Sequence, residues 1–383
     1  MNRSSSLLSY LNVNGPVAAA SVPLIGVFRG CGIGPSLIEG TIEVLQAAAD
    51  VLGTEIRLEY GGAIAEESLD QGGPALPEGA AAFCADIFRR GGAILSGPGG
   101  GRYVYDLRRR FDLFCKFVPV RPVPELARAA KLVPGHLADI DILIVRDNIG
   151  GVYQGTWSDN VYGSGRVASH QFEYDEADVR RLAQVAVRAA AGRRGGLQIV
   201  LKDHGVPAIS ALWRGVCADV ASDHDIRPEF INVDFAAYEL IQHPARFDVI
   251  LAPNLFGDIL ADIAGVLMSS RGVTFSGNFD CQGHAIYQTN HGCAHDLSGS
   301  GTANPGGQIL SLVMLLRESF GMSDLAGLIE RSLLDVWAHG WRTSDVAEPG
   351  SHIAGTRAFI ERVMEQIPRS LKNRYDADCI TVG

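Results

Sequence analysis

Two aspartates four residues apart, Asp258 and Asp262, are the side chains whose type and spacing speak most directly of chemistry. They follow an apolar run, Val249-Ile250-Leu251-Ala252, that reads as a buried strand, and a segment, Asn254-Leu255-Phe256-Gly257, that reads as a turn. On a helix, carboxylates at this spacing point the same way, about one turn apart. The residues around them (Ile259, Leu260, Ala261, Ile263, Ala264) are apolar, so two like charges destabilise that helix unless a cation sits between them. A divalent metal meets the need, because hard cations take carboxylate oxygens. The competing explanation is an acidic pair facing solvent near a helix N-terminus.

Other candidate motifs say less. Gly30-Cys31-Gly32-Ile33-Gly34-Pro35 follows a strand and opens a helix. Its spacing is G-x-G-x-G-P rather than G-x-G-x-x-G, so a tight strand-to-helix turn is a better reading than a dinucleotide fingerprint. His291 and His295 are four apart, but the glycines around them argue against a two-histidine metal helix. The seven cysteines are spread widely, with no C-x-x-C. That suits reduced thiols in a cytoplasm better than disulfides or zinc.

The elements that must position these groups alternate. Strands are expected at Leu24–Phe28, Glu55–Tyr60, Ala93–Leu95, Phe117–Val123, Ile140–Val145, Leu197–Leu201 and Phe230–Val233. Helices are expected from Pro35 to about Ala49, then over Pro77–Arg90, Glu173–Arg193, Ile209–Asp223 and Pro305–Phe320. Such alternation argues for an α/β fold. The 383 residues, 47% hydrophobic and 20% charged, suffice for a large core. A net charge of −10 with scattered basic residues argues against nucleic acid or an anionic membrane as partner, and no apolar run approaches the roughly 20 residues of a membrane span. Residues 1–22 and 369–383 read as a loose extension and a tail. No linker marks a boundary; a smaller domain over 117–257 inserted into a larger one (23–116 plus 258–368) fits the pattern.

Several long motifs, in one order over about Leu24 to Glu365, resemble those of the β-decarboxylating dehydrogenases of 3-isopropylmalate and isocitrate. They are Gly30–Pro35, Leu107-Arg108 with Asp112-Leu113, Arg146-Asp147-Asn148-Ile149-Gly150-Gly151-Val152-Tyr153, Leu212-Trp213-Arg214, Val233-Asp234, Asn254–Asp262 and the run from His291 to Pro305. The resemblance implies the isopropylmalate dehydrogenase-like fold, two α/β domains around a central cleft and not a Rossmann fold. It implies a homodimer with shared active sites acting on a small-molecule substrate. The implied reaction is oxidation of a 2-hydroxy acid bearing a 3-carboxylate, followed by loss of CO2. Asp258 and Asp262, with Asp234 from the other subunit, match the family's ligands for Mg²⁺ or Mn²⁺. Arg108 and Arg146 match carboxylate-binding arginines, which suit bidentate recognition. Tyr153 matches the proton donor to the enol carbon, a role that a phenol can fill if nearby cations depress its pKa. A lysine is expected to take the hydroxyl proton. Lys202 is favoured, but a gapless alignment puts Asp203 there, and Asp203 or His204 is the alternative base. The cofactor loop is His291-Gly292-Cys293-Ala294-His295-Asp296-Leu297-Ser298-Gly299, with Asn304 further on. Asp296-Leu297 stands where NADP-using relatives carry Lys-Tyr, so NAD is implied.

The departures concentrate at the site. Cys31 and Ser36 replace acids near the first glycine motif, Gln288 replaces a glutamate before His291, and Val118 stands where the family has a further carboxylate-binding arginine. Losing a charge-assisted clamp typically costs about 1.5–3 kcal/mol, so ordinary isocitrate or isopropylmalate should turn over poorly. Arg102 is a candidate compensator. The segment Arg102-Tyr103-Val104-Tyr105, which reads the C3 substituent in relatives, matches neither family type. Arg102, Val104 and Tyr105 suggest a substituent with an anionic or polar end and some apolar area. Two readings follow: a dehydrogenase for a non-standard 3-substituted malate, and a non-catalytic, regulatory paralogue. Retention of Tyr153, the three aspartates and two arginines favours the enzyme.

Overall fold

Strands apolar on both faces need cover on both faces, and such strands here form the interior of one ten-stranded sheet with helices packed against it. The computed structural model describes residues 6–13, 22–163 and 165–380. In chain order the strands are β1 (Leu24–Phe28), β2 (Arg57–Tyr60), β3 (Ala93–Ser96), β4 (Cys115–Val120), β5 (Ile142–Asp147), β6 (Thr156–Tyr162), β7 (Gly165–Gln171), β8 (Leu197–Leu201), β9 (Glu229–Asn232), β10 (Val249–Ala252), β11 (Phe275–Phe279) and β12 (Ala285–Thr289). The ten-stranded sheet runs β2-β1-β3-β12-β11-β4-β5-β10-β8-β9. Its flanks are parallel, while β12-β11-β4-β5 are joined by antiparallel ladders. This antiparallel centre separates the fold from a doubly wound Rossmann sheet. Strands from residues 24–96 and 275–289 lie on one side of the β11/β4 pairing, and those from 115–252 on the other. Buried β1, β3, β5, β8 and β10 read as short continuous apolar runs, as two-sided burial requires.

Local chemistry accounts for the element ends. Gly30 and Gly32 take positive φ (75° and 60°) between β1 and the helix Gly34–Leu52, whose first turn holds Pro35. The strand expected over Phe117–Val123 stops at Val120, where Pro122 and Pro124 deny the ladder donors. Val233 opens the helix Val233–Gln242 rather than closing a strand.

Three expectations are corrected. Asn254–Gly257 is not a turn but the first turn of the helix Asn254–Ala264, entered from Pro253. The extension is not loose throughout: Leu7–Tyr10 is a helical turn whose Leu8 and Tyr10 are buried in the main core with Leu11. Glu318 accepts from Ser6 Oγ and Leu7 N, each at 2.7 Å, and Arg188 Nε donates to the Tyr10 carbonyl at 2.6 Å. The segment 369–380, expected as tail, continues the helix Thr356–Ile380 past Pro368.

β6 and β7 pair only with each other. Trp157, Val161 and Val167 of this hairpin are exposed. No helix among the described residues is long and apolar enough to cross a membrane.

If the N-terminal turn contributes to the core as its burial indicates, Leu8→Ala should cost about 2–4 kcal/mol, read as a lowered urea midpoint at unchanged slope. A change under about 0.5 kcal/mol would restore the loose-extension reading.

Candidate active site

Arg146, on β5, is 1% exposed, and a guanidinium at such depth must find acceptors. Its Nη1 donates to Asp258 Oδ1 at 2.5 Å, and Asn254 Oδ1 accepts from Nη2 at 2.8 Å. Asn254 Nδ2 in turn donates to the Gly150 carbonyl at 3.0 Å. Gly257 makes room, since a Cβ there would lie 2.7 Å from Arg146 Cγ. The strand is thus stitched to the helix carrying both aspartates, and to the Gly150-Gly151 turn before Tyr153.

Tyr153 Oη donates to Asp258 Oδ2 at 2.8 Å. Burial, then this bond and the Asp258 charge, push its pKa above the ordinary phenol value, and Arg146 offsets only part. The cation-depressed phenol expected from sequence is therefore not what this arrangement produces; Tyr153 holds its proton. Burial pushes the Asp258 carboxyl up, but Arg146, Lys116, the Tyr153 bond and Arg108 outweigh it and leave the pKa lowered. Asp262 is raised by burial, with Arg271 at 2.9 Å partly opposing and Asp258 reinforcing. Each aspartate therefore has an arginine of its own. The pair still crowds one face, with both side chains over 40% exposed. That accessible like-charge pair fits a divalent cation.

Arg108 sits in the helix Tyr103–Arg110, is 5% exposed, and makes no hydrogen bond or ion pair among the described residues. Its guanidinium lies 5.9 Å from the Tyr105 ring. Burial, then Arg146, drive its pKa down to about 9. A guanidinium stays charged in proteins, and Asp258 and Asp147 offset only part of this pressure. Tyr105 lies against Tyr153 at 5.0 Å. Arg102 lies 5.2 Å from both the Tyr105 and the Trp157 rings, and its Nη1 donates to the Tyr153 carbonyl at 2.9 Å. Its guanidinium is thus already engaged, which weakens the case for Arg102 as compensator. Val104 is half-buried beside these groups, whereas Tyr103 is wholly buried and faces the core.

Lys202 follows β8, and its Nζ is 2.7 Å from Asp234 Oδ1 at the start of the helix Val233–Gln242. Asp203 is held by Arg214 Nη2 at 2.8 Å. Lys202, not Asp203, lies beside Asp234. Within one chain, however, Asp234 is not brought to Asp258 and Asp262. Among the described residues the sole cluster of three or more His, Cys, Asp or Glu with donor atoms all within 4.8 Å of one another is Glu66, Cys293 and His295.

The loop after β12 packs on the first glycine turn, where Ile33 N donates to the Cys293 carbonyl at 3.0 Å and a Cβ on Gly32 would lie 2.1 Å from that oxygen. His291 Nδ1 contacts the Gly292 carbonyl at 2.9 Å, while its Nε2 is buried without a partner, and burial lowers its pKa. Ala294 takes a positive φ of 43°. Gly292, Asp296 and Leu297 are exposed, and the Asp296 carboxylate makes no hydrogen bond or ion pair among the described residues. An orphaned imidazole nitrogen and an open carboxylate on one glycine-rich loop fit a nucleotide cofactor. Asn304 does not share that exposure: it is 5% exposed, donates to Asp345 at 3.1 Å and accepts from Gly306 N at 2.8 Å, capping the next helix.

A sheet with an antiparallel centre, and a site in which arginines, a tyrosine and paired aspartates meet, are features that suit an enzyme for small molecules. Comparison with known proteins makes that class specific. The isocitrate/isopropylmalate dehydrogenase family model matches residues 24–363. The 3-isopropylmalate dehydrogenase of Geobacillus kaustophilus is 34% identical over 354 residues, 88% of this chain and 94% of that one. That of Burkholderia lata is 35% identical over 361 residues, 89% and 99%. Isocitrate dehydrogenase from Methylococcus capsulatus superposes with a TM-score of 0.79 at 26% identity, over 90% of this chain and 99% of that one. The TT0538 protein of Thermus thermophilus gives 0.80 at 25% identity, over 93% and 70%. The chain belongs to the isocitrate/isopropylmalate dehydrogenase family, and is an oxidoreductase of the β-decarboxylating dehydrogenase class.

Sequence reading missed Asp147, buried beneath the site, whose carboxylate accepts from Ile149 N and Gly150 N, both at 3.1 Å. Burial raises its pKa to about 6. The folded value lies above the unfolded one of about 3.9, so this contribution to stability is full below about pH 4 and is lost as pH rises through about 6. Asp147→Asn should flatten the decline in melting temperature over that window. A variant with the same pH slope as the parent would show that Asp147 is not its source.

Proposed function

We propose that this protein is an NAD-dependent, Mg²⁺- or Mn²⁺-dependent dehydrogenase that oxidises and decarboxylates a 3-substituted malate whose substituent differs from those of isopropylmalate and isocitrate. The observation that carries the reading is the junction of Arg146, Tyr153 and Asp258, with the unpaired Arg108 beside it. Arg108 and Arg146 hold the carboxylates in fixed geometry. Asp258, Asp262 and Asp234 of the partner subunit would hold the divalent ion, which would polarise the hydroxyl and carboxylate oxygens. The 291–299 loop would hold NAD⁺, which would supply the hydride acceptor. Lys202 of the partner subunit, carried beside that Asp234, takes the hydroxyl proton. Tyr153 keeps its proton until the enol carbon needs one, the state that a general acid must start from. Tyr105, Val104 and Arg102 face the C3 substituent.

The same reading includes a two-domain cleft, divided near residues 116 and 257, and a homodimer. Support for the dimer comes from the separation of Asp234 from Asp258 and Asp262, and from the exposed Trp157, Val161 and Val167 of a hairpin that no sheet covers. An isolated two-stranded hairpin is at best marginal in water. Exposed Phe235 and Tyr238 next to Asp234 extend the apolar area.

NADH absorbance should rise with NAD⁺, Mn²⁺ and one member of a panel of malates substituted at C3 by carboxyalkyl, aryl or phosphono groups, ahead of isopropylmalate and isocitrate. Best turnover with plain isopropylmalate would remove the non-standard substituent. With the active member, Lys202→Met should lower kcat by about 10²–10⁴-fold, while Asp203→Asn stays within about threefold. Asp258→Asn should weaken Mn²⁺ binding, read by electron paramagnetic resonance without substrate. Unchanged Mn²⁺ affinity would move the metal elsewhere.

A further inference from the structure

Lys116 is a lysine where the pattern of β4 calls for an apolar side chain. It lies between Cys115 and Phe117 and is 2% exposed. Its Nζ makes one hydrogen bond among the described residues, to Asn290 Oδ1 at 2.7 Å; an ammonium has three donors. The register sets Lys116 directly opposite Arg146 on β5, and directly opposite residues share a face of the sheet. Arg108 is near enough for its charge, after burial and Arg146, to disfavour the ammonium, while Asp258 and Asp262 favour it. Three buried or nearly buried cations thus converge on one floor. Among the described residues three carboxylates act on them: Asp258, shared with Tyr153, Asp262, shared with Arg271, and Asp147, which accepts from two backbone N–H groups.

With Arg271 counted, that balance is short of negative charge, and an unpaired buried cation is costly. It becomes shorter still if Asp258 and Asp262 turn to a divalent ion. Val118, two residues along the same face, does not help: it is 1% exposed and pairs with Ile144 in the apolar core. The charge therefore sits at the cleft end of β4, level with Arg146.

We propose that Lys116 is a substrate-binding residue whose ammonium, with Arg108 and Arg146, holds an anionic group of the bound hydroxy diacid. This rests on the dehydrogenase reading of the cleft. Through Asn290, the residue before His291, the same ammonium joins the anion site to the start of the cofactor loop.

The test is calorimetric binding, with Mn²⁺ present, of malate, isocitrate, isopropylmalate and tartrate, and separately of NAD⁺, to the parent, Lys116→Met and Lys116→Arg. Methionine has nearly the same length and suits the apolar strand, so folding is expected to survive, and the NAD⁺ titration checks it. The expected result is a diacid Kd raised about 10–100-fold in Lys116→Met, largely restored in Lys116→Arg, with NAD⁺ affinity kept within about threefold. Diacids binding Lys116→Met as tightly as the parent would overturn the role of Lys116 and leave the dehydrogenase reading standing. Equal loss of NAD⁺ and diacids in Lys116→Met would reduce Lys116 to a structural cation. A parent that binds NAD⁺ but none of the diacids would overturn the substrate class, and this proposal with it.

Discussion

Everything at the cleft takes its position from one guanidinium buried against a helix. Arg146 reaches from β5 past Gly257 to Asn254 and Asp258, and those contacts fix how the helix Asn254–Ala264 lies on the sheet. Breaking such a buried pair from one side leaves an uncompensated charge, typically at about 3–5 kcal/mol. The arrangement therefore cannot drift without losing the fold around it. Asp258 is the shared acceptor: it fixes Arg146, orients Tyr153 and answers the charge of Lys116. The catalytic geometry and the packing of one sheet face are the same set of bonds.

Much of this was legible in the residues, and the failures have physical reasons. Buried parallel strands carry short apolar runs, so β1, β3, β5, β8 and β10 stood out. The β6–β7 hairpin did not, because exposure on both faces erases the alternation that marks a half-buried strand. The motifs placed Arg108, Arg146, Tyr153, Asp258 and Asp262, and the structure brings Arg146, Tyr153 and Asp258 into direct contact. Pattern alone could not show which of Lys202 and Asp203 meets Asp234, since those contacts, and that of Asp203 with Arg214, join residues far apart in the chain. Lys116 escaped notice because a single lysine in an apolar run resembles an edge-strand gatekeeper until its depth is known. The direction of the Tyr153 shift also needed coordinates: cations are near, but burial and the carboxylate bonded to the phenol decide it.

The clearest tension lies between charge and depth. Arg108, Lys116 and Arg146 are each at most 5% exposed, and among the described residues only Arg146 has an ion-pair partner of its own. Natural cores avoid such clusters unless something repays the desolvation. Outside the cleft the half-buried Arg193 meets Asp248 and Asp141 at 2.8 and 3.0 Å. The incomplete pairing of Arg108 and Lys116 is what the proposed anion site would complete.

The β11/β4 ladder has a mechanical side. Gly277, Asn278 and Phe279 pair with Phe117, Lys116 and Cys115, so the two flanks of the sheet are joined by main-chain bonds rather than by a flexible strap. Relative movement of the two flanks would have to strain these ladder bonds, and Lys116 is one of the residues that make them.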